Sequence, residues 1–354
     1  MASQRLRDLH LKQEMSQKYA ADQPAGFNNQ VTKVAIVGAT GSVGEYITKH
    51  LLATGKHKVT AITREDSKST MPSGVNVAKI NYDQPESIAK ALQGQQSLII
   101  TMKTGQIEPT KKLVAAAAKA NVPWVVPNEY SPDLVADPKM GNETGLLPAI
   151  VPIREAIRDH CVSSYVGLFC GYWYEYSLAN APQCYGFDFK NKIATFLDDG
   201  LTKINTSTWE QCGRAMASLF SLPQYPQDAN DKSVTISRWA NDAVRVESFF
   251  VNQRDMLDSI LRVTGEKESD WTIKYQPAQE RWQEACEMMK EGGSKAGQGY
   301  IQKMYSRVFY KDGSGDFTDK LDNERLGLPK ESLDEATKRA LEMVEGGYNY
   351  FARG

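Results

Sequence analysis

The sequence predicts an α/β fold: a Rossmann-type doubly wound parallel sheet, followed by a smaller mixed α/β substrate region. Three observations carry this. The apolar run Val34-Ala35-Ile36-Val37 leads into a turn with Gly38, Gly41 and Gly44 at three-residue spacing. Strand and helix periods then alternate from Thr32 to about Leu168, which implies a parallel sheet with helices on both faces and right-handed crossovers. Past Phe169 the alternation gives way to short strands, aromatic clusters and a mostly helical C-terminal third.

Residues 1–30 are polar apart from Leu6, Leu9, Leu11, Met15 and Tyr19, which suits a short helix on the body or on a partner, or a disordered tail. Residues 34–37 suit a strand covered on both faces. Val43, Tyr46, Ile47, His50, Leu51 and Leu52 repeat at helical period. A second strand at 58–63 ends at Arg64, 20 residues after Gly44. Strands follow at 76–80, 97–102, 123–127 and 163–169, with helices at 85–92, 110–120 and 147–159. The helix at 110–120 holds Ala115 to Ala118, small enough for close contact with the sheet. Beyond Phe169, short strands are expected around Lys190-Asn191-Lys192, a helix from about 207 to before Pro223, and strands at 233–237 and 244–250. Asn252 suits the cap of a helix carrying Met256, Leu257, Ile260 and Leu261. A strand at 271–275 and helices at 277–291 and 332–345 complete the chain, the last with an inward stripe of Leu333, Ala336, Ala340, Leu341 and Val344. The expected organisation is a tail or helix at 1–30, a dinucleotide-binding domain at 31–168, and a mainly substrate-binding domain at 169–354 that closes over the strands' carboxyl ends.

The chain has 354 residues, with 42 Lys and Arg against 43 Asp and Glu. That balance gives no basis for a nucleic-acid or anionic-membrane partner. No apolar run approaches the roughly 18 residues of a membrane helix. The N-terminus lacks a signal-peptide apolar region, so a cytoplasmic protein is expected. The five cysteines are odd in number with no C-x-x-C pair, and several sit in apolar surroundings, which points to buried reduced thiols. With four histidines and no H-E-x-x-H motif, no metal site is expected. No G-x-S-x-G esterase elbow is present.

The glycine turn suits a pyrophosphate, because unpaired N–H groups and the helix dipole favour an anion at a helix N-terminus. Gly38, Thr40, Gly41, Ser42, Val43 and Gly44 are therefore the first cofactor-binding candidates. Arg64 stands where such folds read the adenosine ribose, and a guanidinium there clamps a 2′-phosphate, with Lys68 near enough to help. Glu65 could instead bind a free ribose hydroxyl, but the offset of Arg64 favours NADP(H). Thr101 and Met102 end the fourth strand, Lys103 begins the loop beyond it, and Pro127 and Asn128 end the fifth, so all five face the cofactor crevice. Glu129 sits where that tip meets the nicotinamide and substrate, or bonds to a neighbouring loop. Phe169, Tyr172, Trp173 and Tyr174, with Tyr176, suggest a pocket for a flat or apolar ligand.

Gly38-Ala39-Thr40-Gly41-x-x-Gly44, Arg64 and Pro127-Asn128-Glu129-Tyr130 together resemble the NmrA-like and isoflavone reductase-like branch of atypical short-chain dehydrogenases. Members carry a similar G-A-T-G-x-x-G loop, an arginine after the second strand and a P-S-E-[FY] turn after the fifth. The resemblance extends from about Thr32 to Gly265 and is stronger in the first half. It implies NADP(H) binding and, in enzymatic members, hydride delivery to an unsaturated or carbonyl-bearing small molecule. Plant reductases of the group use a lysine on the helix after the P-x-E turn. Anchored on Ile153-Arg154-x-Ala156-Ile157, that position falls at about Ile150, and no lysine lies between Met140 and Cys161. No tyrosine is followed by lysine four places on, so the short-chain Y-x-x-x-K pair is absent too. A reduction still needs a proton source. Candidates are Tyr130, Tyr172, Tyr174, Lys139, Lys103 and His160, with Tyr172 first because it stands at a strand tip amid aromatics.

The expected function is an NADPH-dependent reductase of a small aromatic or polyketide-like enone or carbonyl compound. A non-catalytic NADP(H)-sensing regulator and a non-redox isomerase or cyclase are the alternatives. The expected partner is a small-molecule substrate, and a homodimer or a regulatory protein partner stays open.

Overall fold

Alternate side chains of β1 (Lys33–Val37) serve two cores. Val34 and Ile36 enter one and Ala35 and Val37 the other, as a strand buried on both faces requires. The computed structural model describes residues 17–103 and 105–348. After β1 come α1 (Ser42–Ala53), β2 (Lys58–Arg64), β3 (Asn76–Ile80), α2 (Pro85–Leu92), β4 (Ser97–Ile100), α3 (Ile107–Lys119), β5 (Trp124–Val126), α4 (Pro138–Thr144), α5 (Leu147–Asp159) and β6 (Ser164–Phe169). The chain continues through β7 (Tyr172–Trp173), α6 (Tyr174–Asn180), β8 (Phe187–Asp188), β9 (Ile193–Leu197), β10 (Ile204–Ser207), α7 (Trp209–Phe220), β11 (Asp242–Arg245), β12 (Phe249–Val251) and α8 (Gln253–Thr264). It ends with β13 (Thr272–Gln276), α9 (Ala278–Glu291), α10 (Gly293–Val308) and α11 (Leu333–Glu345).

Seven strands form one parallel sheet in the order β11-β6-β5-β4-β1-β2-β3. One face is covered by α1 and α7, through Val43, Ile47 and Leu51 against Cys212, Met216 and Phe220. The other face is covered by α2, α3 and α5. There the alanine run serves as expected, with Ala116 and Ala117 buried against the sheet. Two late segments thus return to this layer, α7 on its face and β11 as its seventh strand. A separate aromatic-rich core fills the second region, around two three-stranded sheets, β12-β10-β7 and β13-β9-β8. Asn252 caps α8 in a reciprocal capping box with Asp255.

Three expectations need correction. The strand expected at 233–237 is a 3₁₀ turn, Ile236–Trp239, whose entry is fixed by the Ile236 N–H donating to Pro223 O. The strand expected at 244–250 is two strands in different sheets. Val246 N–H bonds to Phe169 O and Ser248 N–H to Thr206 O, so the chain changes partner between them. The thiols are not uniformly buried: Cys170, Cys184 and Cys212 are, Cys161 is exposed, and all five are free. The apolar positions Leu6, Leu9, Leu11 and Met15 lie outside the described residues. Within 17–30, Asn29 ties the segment down by donating to Tyr225 O at 2.8 Å. Among the described residues no helix is long and apolar enough to cross a membrane, and no cluster of His, Cys, Asp or Glu could hold a metal ion.

Candidate functional site

The glycine turn is set by backbone crowding. Gly38 has φ +81°, and a Cβ there would stand 2.1 Å from Thr101 O. A Cβ on Gly44 would stand 2.1 Å from Gly38 O. Thr101 locks the contact, its hydroxyl donating to Val37 O at 2.7 Å and Gly38 O at 3.0 Å. Its hydroxyl is therefore taken up by the turn. Gly41 is the N-cap of α1 and brings no side chain to cap it, so the first N–H groups of the helix at Ser42 and Val43 stay open to an anion. Thr40 lies on the exposed side of this turn.

Arg64 ends β2, next to the turn in the sheet, with its side chain 70% exposed and Asp66 3.5 Å away. Lys68 lies exposed in the following loop. Lys79 on β3 braces that loop by donating to Ser67 O at 2.8 Å and Glu65 O at 3.3 Å. Only its alternation on an edge strand could have signalled that role. The groups at this edge, an uncapped helix N-terminus with two cations beside it, suit a dinucleotide with an extra phosphate.

A cavity of about 410 Å³ opens at the tips of β4 and β5, on the same edge of the sheet. Met102, Lys103, Pro127 and Asn128 border it, and Asn128 ties the two strand tips by donating to Met102 O at 2.8 Å. Leu146, Ala149, Ile150 and Ile153 form the α5 side. Tyr130 lines it from the loop after β5, Tyr172, Trp173 and Tyr176 from the second region, and Tyr300, Ile301, Met304 and Tyr305 of α10 form the far wall.

The candidate residues are not all gathered here. Glu129 borders the cavity but is 2% exposed, and its carboxylate is taken by Arg154, whose Nε donates at 2.9 and 3.0 Å. Burial pulls the Arg154 guanidinium down, but the Glu129 carboxylate prevails and holds its pKa above the usual value. Phe169 and Tyr174 lie in the cores, away from the cavity lining. Phe169 packs beside Arg154, and the Tyr174 hydroxyl bonds to Thr337 at 2.7 Å. Lys139 lies in a separate groove beside Glu143, Asp198 and Trp282. Tyr172 lines the cavity, its ring tilted against that of Tyr305 with centroids 4.3 Å apart, but its hydroxyl already donates to Met304 O at 3.3 Å. Burial and the neighbouring Tyr300 push its pKa well up. Tyr130 is raised too, by burial and then by Cys212 and Cys170 beside it, and its hydroxyl has no partner among the described residues. His160 is exposed and ends α5.

Sequence reasoning missed the α10 wall. Gly297, Tyr300, Ile301, Met304 and Tyr305 fall on one helical stripe, a signal diluted by the four glycines between Gly292 and Gly299. Behind the aromatic side, Glu175 on α6 accepts from Arg339 at 2.9 Å, while its second oxygen is buried without a partner among the described residues. Burial lifts its pKa to about 7.

The model of the NmrA-like family matches residues 30–224. The oxidoreductase aprR of Aspergillus flavus is 26% identical over 312 residues, covering 86% of this chain and 96% of that protein. The oxidoreductase poxI of Penicillium oxalicum is 24% identical over 331 residues, covering 88% and 94%. Among solved structures, AtPrR2 with NADP+ and (+)pinoresinol superposes with a TM-score of 0.68 at 19% identity, over 88% of this chain and 99% of that one.

Proposed function

This chain belongs to the NmrA-like family, and on that footing we propose that it is an NADPH-dependent reductase of a small aromatic or polyketide-like molecule carrying an enone or carbonyl. The observation that carries the reading is the place of the cavity: apolar, aromatic-sided, and open at the same sheet edge as the uncapped α1 N-terminus. The fungal relatives named as oxidoreductases, and a structural neighbour solved with NADP+, agree with it.

In this reading the N–H groups of Ser42 and Val43 hold the pyrophosphate, and Gly38, Thr40, Gly41 and Gly44 shape the turn around it. Arg64 and Lys68 clamp the 2′-phosphate. Met102, Lys103, Pro127 and Asn128 border the nicotinamide, which when bound supplies the hydride. Tyr172, Trp173 and the α10 wall orient the substrate and exclude water. Residues 31–168 then serve the cofactor, together with α7 and β11, and most of 169–354 serves the substrate. The compartment proposed for this activity is the cytoplasm.

The test is consumption of NADPH with a panel of enones, aryl ketones and quinones. Steady oxidation with at least one class, and a reduced product, supports the reading; tight NADPH binding with no consumption across the panel defeats it. One observation favours a second reading, a non-catalytic NADP(H)-sensing regulator. At the position where the family's plant reductases carry lysine stands Ile150, and it lines the cavity with 6% exposure. Isolation of a stable protein partner whose binding differs between NADP+ and NADPH, with no turnover, would favour that reading.

A further inference from the structure

The polar side chains around the cavity divide into those whose hydrogen bonds are spent and those whose bonds are not. Asn128 is spent on Met102 O, Tyr172 on Met304 O, and Tyr305 shares a 2.6 Å bond with Ser177. Glu129 is spent on Arg154. Tyr130 borders the cavity and is only partly buried, but its unpartnered hydroxyl oxygen is itself buried, beside Cys170 and Cys212.

Tyr300 differs from all of these. It lines the cavity from α10, is only half-buried, and its hydroxyl makes no hydrogen bond among the described residues. Tyr172 lines the same cavity, so both phenols belong to its wall. One turn earlier on the same stripe, Gly297 is exposed, and a Cβ there would meet nothing within 4 Å. That leaves a water path beside Tyr300.

We propose that the Tyr300 phenol is the hydrogen-bond and proton donor to the substrate oxygen, in a cavity whose α5 side offers Ile150 in place of a cation. The proposal rests on the reductase reading. As the substrate carbon accepts a hydride, the carbonyl electron pair moves to oxygen. The new O–H bond forms there as the Tyr300 O–H bond breaks, and the phenolate regains its proton from water entering beside Gly297. For an enone the same donor meets the enolate oxygen.

Tyr300→Phe keeps the ring and deletes only the donor. Calorimetry on NADP+-loaded protein compares benzophenone with diphenylmethane, which has the diaryl shape without the carbonyl. Benzophenone binding is expected to weaken about tenfold in the variant, the worth of one buried hydrogen bond, with diphenylmethane unchanged. With NADPH, kcat on a reducible ketone or enone falls about 100-fold while the KM for NADPH holds. Equal benzophenone affinity in wild type and variant overturns the proposal, as does a wild type that does not bind benzophenone. Parallel loss of both ligands also overturns it, because it marks a change of shape. Tyr300-dependent benzophenone binding without any NADPH consumption would keep the donor and defeat the reductase reading instead.

Discussion

The two sides of the cavity are built by different means. At the sheet edge, positions are set backbone to backbone: Gly38 against Thr101 O and Gly44 against Gly38 O leave no room for a single carbon. On the far side, α10 lines the cavity, and its Gly297 has open space where a Cβ would stand. The edge can hold one kind of ligand and tolerates little change. The far wall can be resurfaced by substitution without moving the main chain, which is what a fold needs to keep one cofactor and vary its substrate.

That contrast can be broken most directly at Gly38. Gly38→Ala combines a positive φ with a contact into backbone, and is expected to cost about 5 kcal/mol or to prevent folding. Urea denaturation measures it, and a loss near 1 kcal/mol would mean that the edge is not set by the main chain. Arg154→Met tests how α5 is fastened to the β5 tip on the sheet side. It leaves the Glu129 carboxylate buried without its partner, at an expected cost of about 4 kcal/mol. The double variant with Glu129→Gln should recover much of that, and no recovery would show that the arginine acts through packing alone.

Glu175 sharpens the picture of the aromatic side. Its carboxyl titrates near 7 in the folded chain against 4.5 as the ordinary value. The folded state therefore keeps the proton longer than the unfolded state. The resulting stabilisation is complete below 4.5 and lost as pH rises through about 7. Between pH ~5 and ~8 the wild type should lose about 3 kcal/mol from this group, and Glu175→Gln should abolish that part. Identical pH–stability profiles for the two proteins would rule out the assignment. The smallest effect is expected where solvent screens most, at Arg64. Arg64→Ala should weaken NADPH by about 2 kcal/mol, roughly 30-fold, and NADH hardly at all. Equal losses for both cofactors in a fluorescence titration would remove Arg64 from the phosphate site.

The difference between the two sides also governs how far the sequence could be read. Strands β1, β4, β5 and β6 announce themselves by their apolar runs, and the bounds of β3, α2 and α5 were legible to the residue. The glycine turn and Arg64 were legible because spacing along one local unit fixes them. The far wall was not, because Tyr300 reaches the cavity through tertiary packing from a position 128 residues beyond Tyr172. Glu129 was only partly legible for a related reason. Its place at the β5 tip was clear, but its partner Arg154 lies 25 residues on, across the α5 packing contact. The apolar run at 244–250 hid a change of sheet, since Val244 and Phe249 are both buried but in different cores.

The return of α7 and β11 to the parallel sheet bears on where the gene can be cut. A fragment ending at residue 168 carries the glycine turn and six strands, but strips Cys212, Met216 and Phe220 from the α1 face and leaves β6 as a bare edge. Such a fragment is expected to be insoluble or to pair edge to edge, however intact its cofactor motif. Exchange of substrate specificity between relatives is better made by grafting α10, which lines the cavity, together with α9 packed on it, since neither carries a strand of that sheet.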